Sequence, residues 1–170
     1  MFGEGGVRIP LIVSWPGTLP QGNTDSNLTS AMDVFPTIVD LVGADNPSNL
    51  DGHSLKGRLS ASRPVPGHDH LCWADGKGTW SVRQGAWKLI NSAGWTHSNY
   101  RLKDDNTAEP AEDVTYPAGL LLFNLEADIG ETTNLAEEEP RRVETMTARY
   151  EAWQSQMGKP RRGTANYKNK

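Results

Sequence analysis

Few residues in this chain could carry chemistry, and they are scattered. Cys72 is the only cysteine among 170 residues, so neither an internal disulfide nor a cysteine-cluster zinc site can form. One acidic doublet, Asp104-Asp105, offers adjacent carboxylates, but it lies in a polar loop and reads as a solvated pair. Six tryptophans are many for this length. Such rings can line a carbohydrate-facing surface, although core and hairpin packing is the simpler reading. The net charge of -4 gives no general attraction to nucleic acid, whose phosphates demand a basic face. No apolar run approaches the ~20 residues that span a bilayer, and mean hydropathy is -0.61. Neither nucleic acid nor membrane is therefore an expected partner. Met1 to Gly6 lacks the basic and apolar regions of a signal peptide.

The elements that would position these residues fall into two textures. Ile9 to Val13 is apolar apart from Pro10, which predicts a strand buried on both faces, as in a parallel sheet. Pro16-Gly17 ends it. Asp33 is placed to cap a helix that tolerates Pro36 in its first turn. Phe35, Ile38, Val39 and Val42 give that helix one apolar face, and Gly43 stops it. Leu50 to Leu55 reads as a turn into a short helix. Residues 61–69 are rich in Ser, Pro and Gly and form a domain boundary.

Beyond the boundary, 70–74, 79–83 and 86–90 predict three short strands joined by turns at 75–78 and 84–85. Trp80 and Val82 alternate with polar residues, as do Trp87 and Leu89, which predicts an antiparallel sheet with one wet face. Residues 91–118 read as a long polar loop, functional or disordered. Leu120 to Leu125 supplies a fourth strand. Pro140 opens a helix, and Val143, Met146, Tyr150, Trp153 and Met157 form one stripe to lie across the sheet, with Gly158 as the stop. The basic tail, 159–170, is expected to be disordered.

Five segments, in order between residues 4 and 135, resemble the sulfatase family of the alkaline-phosphatase superfamily. They are Glu4-Gly5-Gly6-Val7-Arg8-Ile9-Pro10 with Trp15-Pro16-Gly17; Met32-Asp33-Val34-Phe35-Pro36-Thr37; Leu50-Asp51-Gly52-His53-Ser54-Leu55; Val82-Arg83-Gln84-Gly85-Ala86-Trp87-Lys88-Leu89; and Leu122-Phe123-Asn124-Leu125 through Asp128-Ile129-Gly130-Glu131-Thr132-Thr133-Asn134-Leu135. The resemblance implies an α/β arrangement, an α+β fragment. Residues 1–60 would be the last strand–helix unit of an alkaline-phosphatase-like catalytic domain. Residues 61–158 would be a small four-stranded antiparallel sheet packed on a long C-terminal helix.

Hydrolysing a sulfate ester requires charge neutralisation on the sulfuryl oxygens and a nucleophile in line. Sulfatases meet this with a formylglycine made from Cys or Ser in a Cys/Ser-x-Pro/Ala-x-Arg motif, and with calcium held by hard oxygen ligands. The resemblance thus implies calcium and formylglycine in a complete parent, periplasmic or secreted, acting on a sulfated small molecule or glycan. Neither group maps onto these residues. Leu71-Cys72-Trp73-Ala74-Asp75 lacks the maturation motif, so Cys72 reads as a small buried strand residue. The family's Asp-Asp pair has no counterpart, and its active-site lysine precedes the Glu-Gly-Gly motif. Gly3 also stands where an aromatic is more usual. No catalytic residue and no metal ligand is therefore assigned, and the chain alone is expected to be inactive.

What remains is scaffold and specificity. Arg8 reads as a structural ion pair, and Arg83 and Lys88 as charges on the sheet surface. Small domains of this family lean over the pocket. The substrate-binding candidates are therefore His68, His70, Asp75, Lys77, Trp95 and His97, cations to meet an anionic sugar and a ring to stack on it. Alternatives are a phosphonate or phosphodiester hydrolase of the same superfamily, and a non-catalytic glycan-binding module. The acidic balance opposes the latter, since sulfated glycans call for a basic face. The strand and helix of the first segment would lack covering partners, so self-association through residues 7–42 is expected.

Overall fold

The computed structural model describes residues 2–60, 67–97 and 100–157. The tail expected to be disordered and the stop at Gly158 lie outside them. The elements are α1 (Glu4–Val7), a 3-10 turn (Ala31–Asp33), α2 (Val34–Leu41), α3 (Lys56–Leu59), β1 (Leu71–Ala74), β2 (Trp80–Gln84), β3 (Trp87–His97), β4 (Tyr100–Leu102), β5 (Ala108–Pro110), β6 (Val114–Asn124) and α4 (Pro140–Gln156).

An antiparallel sheet of order β1-β2-β3-β6 is the centre of the fold, and α4 lies on one face of it. Val82, Leu89 and Leu122 sit in one row across three strands. All three are 0% exposed and meet Met146 and Tyr150 of α4. Trp80 stacks on Tyr150 with centroids 4.2 Å apart. Pro140 begins α4, where its missing N–H has no helical partner to lose. Arg142 then covers the Trp87 ring at 4.0 Å. Val143, Met146, Tyr150 and Trp153 are the predicted stripe across the strands, whereas Met157 falls just past the end of α4 and is exposed.

The other sheet face is not wet. Ile90, Leu121, Phe123, Leu125 and Tyr116 form a second buried cluster there, with Trp95 against it. The continuous apolar run of β6 carries this information, because a strand packed on both sides need not alternate. Residues 91–118 are likewise not a loop. β3 and β6 pair from Trp87↔Asn124 to His97↔Val114, and β4 and β5 form a small hairpin beyond them. Gly94 and Gly119, at φ 82° and 118°, and Pro117 hide this hairpin from a propensity reading.

The free edge of β6 is partly closed by the segment that follows it. Leu122 N–H donates to Asn134 Oδ1 at 2.8 Å, and Leu135 N–H donates to the Leu122 carbonyl at 2.8 Å.

The N-terminal layer contrasts with the sheet. Residues 8–15 form no strand. Ile9 and Ile12 are 72% and 88% exposed, which corrects the expected buried strand. A strand needs a neighbour to pair its backbone groups, and among the described residues none pairs with this segment. The α2 face shows the same lack of cover: Phe35 and Ile38 are 55% and 54% exposed.

Polar contacts organise this layer instead. Gly52 lies so close to Met32 that a Cβ would sit 2.0 Å from the Met32 carbonyl oxygen, so only glycine fits. Thr37 Oγ1 accepts from Leu55 N–H at 2.8 Å and donates to the Asp33 carbonyl at 2.6 Å. The Met32–Thr37 and Leu50–Leu55 segments therefore lock together.

Candidate functional site

Two polar clusters join the N-terminal layer to the sheet. The first centres on Asp33, which is 0% exposed. Its side chain is not the α2 cap expected of it. It accepts from Ser30 N–H at 2.7 Å, closing a capping box on the preceding 3-10 turn, and from His53 N–H at 2.7 Å. His68 Nε2 completes the set at 2.8 and 3.0 Å from the two carboxylate oxygens. The His68 ring stacks on His53 with centroids 4.5 Å apart. Beside it, Gly67 packs against Leu28, where a Cβ would sit 2.7 Å from the Leu28 carbonyl oxygen.

The second cluster is a buried set of charges. Lys88 is fully buried rather than on the sheet surface. Its Nζ lies 3.0 Å from Glu4 Oε1 and 2.9 Å from Glu131 Oε1. Arg83 Nη1 reaches Glu4 Oε2 at 2.9 Å, and its Nε donates to the Gly85 carbonyl. Glu4 N–H donates to Glu131 Oε2 at 2.7 Å. Burial alone would raise the Glu4 pKa, but Lys88 and then Arg83 overcome it and hold the carboxyl below its ordinary value. Arg8, expected in an ion pair, is exposed and pairs with no described residue.

The substrate-binding candidates do not converge on one point. His68 is engaged by Asp33. His70 Nδ1 lies 3.1 Å from Asp69, whose carboxylate also takes Arg149 of α4. The His70 contact holds the Asp69 carboxyl below its ordinary value; burial opposes it, and Arg149 adds to the lowering. Asp75 and Lys77 are exposed in the turn after β1. Asp75 Oδ1 accepts from Lys77 N–H at 2.7 Å and Thr79 N–H at 3.2 Å, and these bonds lower its pKa. Trp95 stacks on Tyr116 at 4.3 Å on the β3–β6 extension. His97 ends β3 opposite Val114. The β1–β2 turn adjoins this extension through Asn91, whose amide donates to the Gly78 carbonyl at 2.8 Å.

Cys72 is half-buried beside the α4 core. Burial pushes its thiol up to about 11, with Arg149 opposing, the reverse of an activated thiolate. Among the described residues, no three carboxylate, thiol or imidazole side chains converge to hold a metal ion. The side chains present therefore do not fit calcium.

The family described as N-sulphoglucosamine sulphohydrolase, C-terminal, matches residues 1–73. Bovine (Bos taurus) arylsulfatase A is 35% identical over 142 residues, covering 78% of this chain and 27% of that protein. Steryl-sulfatase of Mus musculus is 35% identical over 163 residues, covering 85% of this chain and 25% of its own length. The chain belongs to the sulfatase family. It corresponds to the C-terminal part and spans about a quarter of these two relatives. Solved structures agree on the fold. Ps i-CgsB superposes with a TM-score of 0.56 at 22% identity over 82% of this chain and 27% of that one. A 2-O GAG sulfatase, BT1596, gives 0.51 at 20% identity over 72% and 24%.

Sulfatase motif segments supply most of the residues of both clusters, Ser30 and His68 excepted. Glu4, Asp33, His53, Arg83, Lys88 and Glu131 all lie within them. Sequence reasoning found the motifs but missed that their charged members meet, because they stand up to 127 positions apart. One signal was available. Lys88 follows Trp87 within a strand whose neighbouring partner, β6, is apolar at every position from Leu120 to Phe123, so both faces need cover.

Proposed function

We propose that this chain is the C-terminal portion of a sulfatase that hydrolyses aryl or carbohydrate sulfate esters when complete. Residues 1–60 are the end of its catalytic α/β domain, and 61–158 are its small subdomain. The observation that carries this reading is the family match joined to the placement of its motif charges at the seam between the two layers. The chain's own residues supply the frame and a specificity surface. His70, Asp75, Lys77, Trp95 and His97 belong to separate stretches of this surface that would meet the sulfated small molecule or glycan, and His68 joins the two layers through Asp33. When complete, the protein would carry formylglycine as nucleophile and calcium as the charge-neutralising ion, both contributed by residues outside this chain.

The exposed apolar strip, Ile9 to Trp15 with Phe35, Ile38 and Val42, is the seam to the rest of that α/β domain. Coverage supports this assignment, since about three quarters of each relative is unmatched. Without that cover the chain self-associates through residues 7–42.

Sequencing the coding DNA upstream of residue 1 tests the reading. A continuous frame encoding Cys/Ser-x-Pro/Ala-x-Arg is expected, and its product should release sulfate from an aryl sulfate in the presence of calcium. A stop codon and promoter in that position would instead favour a non-catalytic module.

A further inference from the structure

Among the described residues, neither hydrophobic cluster of the sheet includes one before Cys72. At α1, charge crosses the gap. Glu4 is 6% exposed and is held by three separate contacts: its N–H to Glu131, one carboxylate oxygen to Lys88 and the other to Arg83. Two carboxylates face two cations, so the cluster closes without net charge.

Burying such groups costs several kcal/mol per ion unless geometry and hydrogen bonds offset it. Glu131 adds a backbone cost, since it is held at φ 57°, a region that non-glycine residues rarely occupy. Asp128 supports that turn by accepting from Thr132 and Thr133 N–H at 2.8 Å each. Gly3 is matched to the same spot, for a Cβ there would stand 3.0 Å from Glu131 Oε2. None of these costs is needed merely to fill space, which an apolar residue at 88 would do without ionic desolvation.

We infer that Lys88 and Glu131 form a charge-specific latch for Glu4, fixing α1 to the sheet. In the complete enzyme they are positioning residues that act through Glu4 and do not touch substrate. The role in the reaction rests on the sulfatase reading; the latch does not.

The test follows backbone amides of the full chain by NMR, in the parent, in Lys88→Met and in Glu131→Gln, which keeps size and an acceptor but removes charge. The Glu4 and Arg8 amides should exchange on the order of 100-fold faster in Lys88→Met and about 10-fold faster in Glu131→Gln. The Leu89 and Leu122 amides should stay slow in both. In the parent, Glu4 amide protection should persist below the ordinary carboxylate value of 4.5, and its acid midpoint should rise in Lys88→Met. If Lys88→Met disturbs the sheet amides, Glu131→Gln decides. Unchanged Glu4 protection and an unchanged acid midpoint, with the sheet intact, would overturn the latch. No sulfate turnover is read, so either result is independent of the enzymatic assignment.

Discussion

The sheet with α4 and the layer formed by residues 2–59 each contain family motif segments, yet different physics holds each. In the first, side chains at strand and helix periods meet their counterparts within the chain: Val82, Leu89 and Leu122 on one side, Met146 and Tyr150 on the other. In the second, Ile12, Phe35, Ile38 and Val42 stand in water, and order depends on Asp33, Thr37 and Glu4 accepting or exchanging hydrogen bonds. Apolar patterning alone does not secure burial, and buried polar contacts can hold a segment whose apolar side chains stay exposed.

Truncation at matched apolar positions should separate the regions most widely. Leu89→Ala or Met146→Ala should cost about 2–5 kcal/mol in denaturant unfolding, through lost burial and a cavity. Ile12→Ala and Phe35→Ala should stay within about 0.5 kcal/mol while reducing self-association in light scattering. Equal losses at both sets would erase the distinction.

Removing a polar anchor should do the converse. Asp33→Ala leaves the Ser30 and His53 amides without their acceptor, at a cost of roughly 1–3 kcal/mol felt locally. Hydrogen exchange should quicken at Ser30 and His53 and stay unchanged at Leu89. A uniform change across the molecule would mean that the layer and the sheet unfold as one unit.

Acid sharpens the contrast next. The Glu4 carboxyl is held below its ordinary value by its cations against burial. Its contribution is therefore fully present above the unfolded value, near 4.5, and is lost as pH falls through the lower folded value. Tryptophan fluorescence of the sheet should be steady across that window while α1 amides lose protection.

Within the sheet, the aromatic stack contributes least: Trp80→Leu should cost about 1 kcal/mol beyond the lost area in denaturant unfolding. The Cys72 thiol, pushed up to about 11, should react slowly with a thiol reagent at pH 7 in the folded chain and rapidly once α4 unfolds.

Most of the sheet was legible because its signals are local. Turn residues bracket β1, β2 and the start of β3, and Val143, Met146, Tyr150 and Trp153 repeat at helical spacing. The β3–β6 extension was not, because Gly94, Pro117 and Gly119 oppose strand propensity and only the pairing across the hairpin overrides them. Ile9 to Val13 misled in the opposite way. Its composition suits a strand, but pairing partners are a property of the surroundings. The joining clusters escaped for a third reason. Lys88 looks like a surface charge until Glu4 and Glu131, distant in sequence, arrive beside it.

The sheet unit is stabilised from within, whereas residues 9–15 find no apolar cover among the described residues. Hydrogen exchange of the intact chain at low concentration, where it is monomeric, tests this most directly. Amides of Leu89 and Leu122 should exchange only through global unfolding, and those of Leu11 to Trp15 at nearly the unprotected rate. Protection of Leu11 to Trp15 equal to that of the sheet, in the monomer, would contradict it.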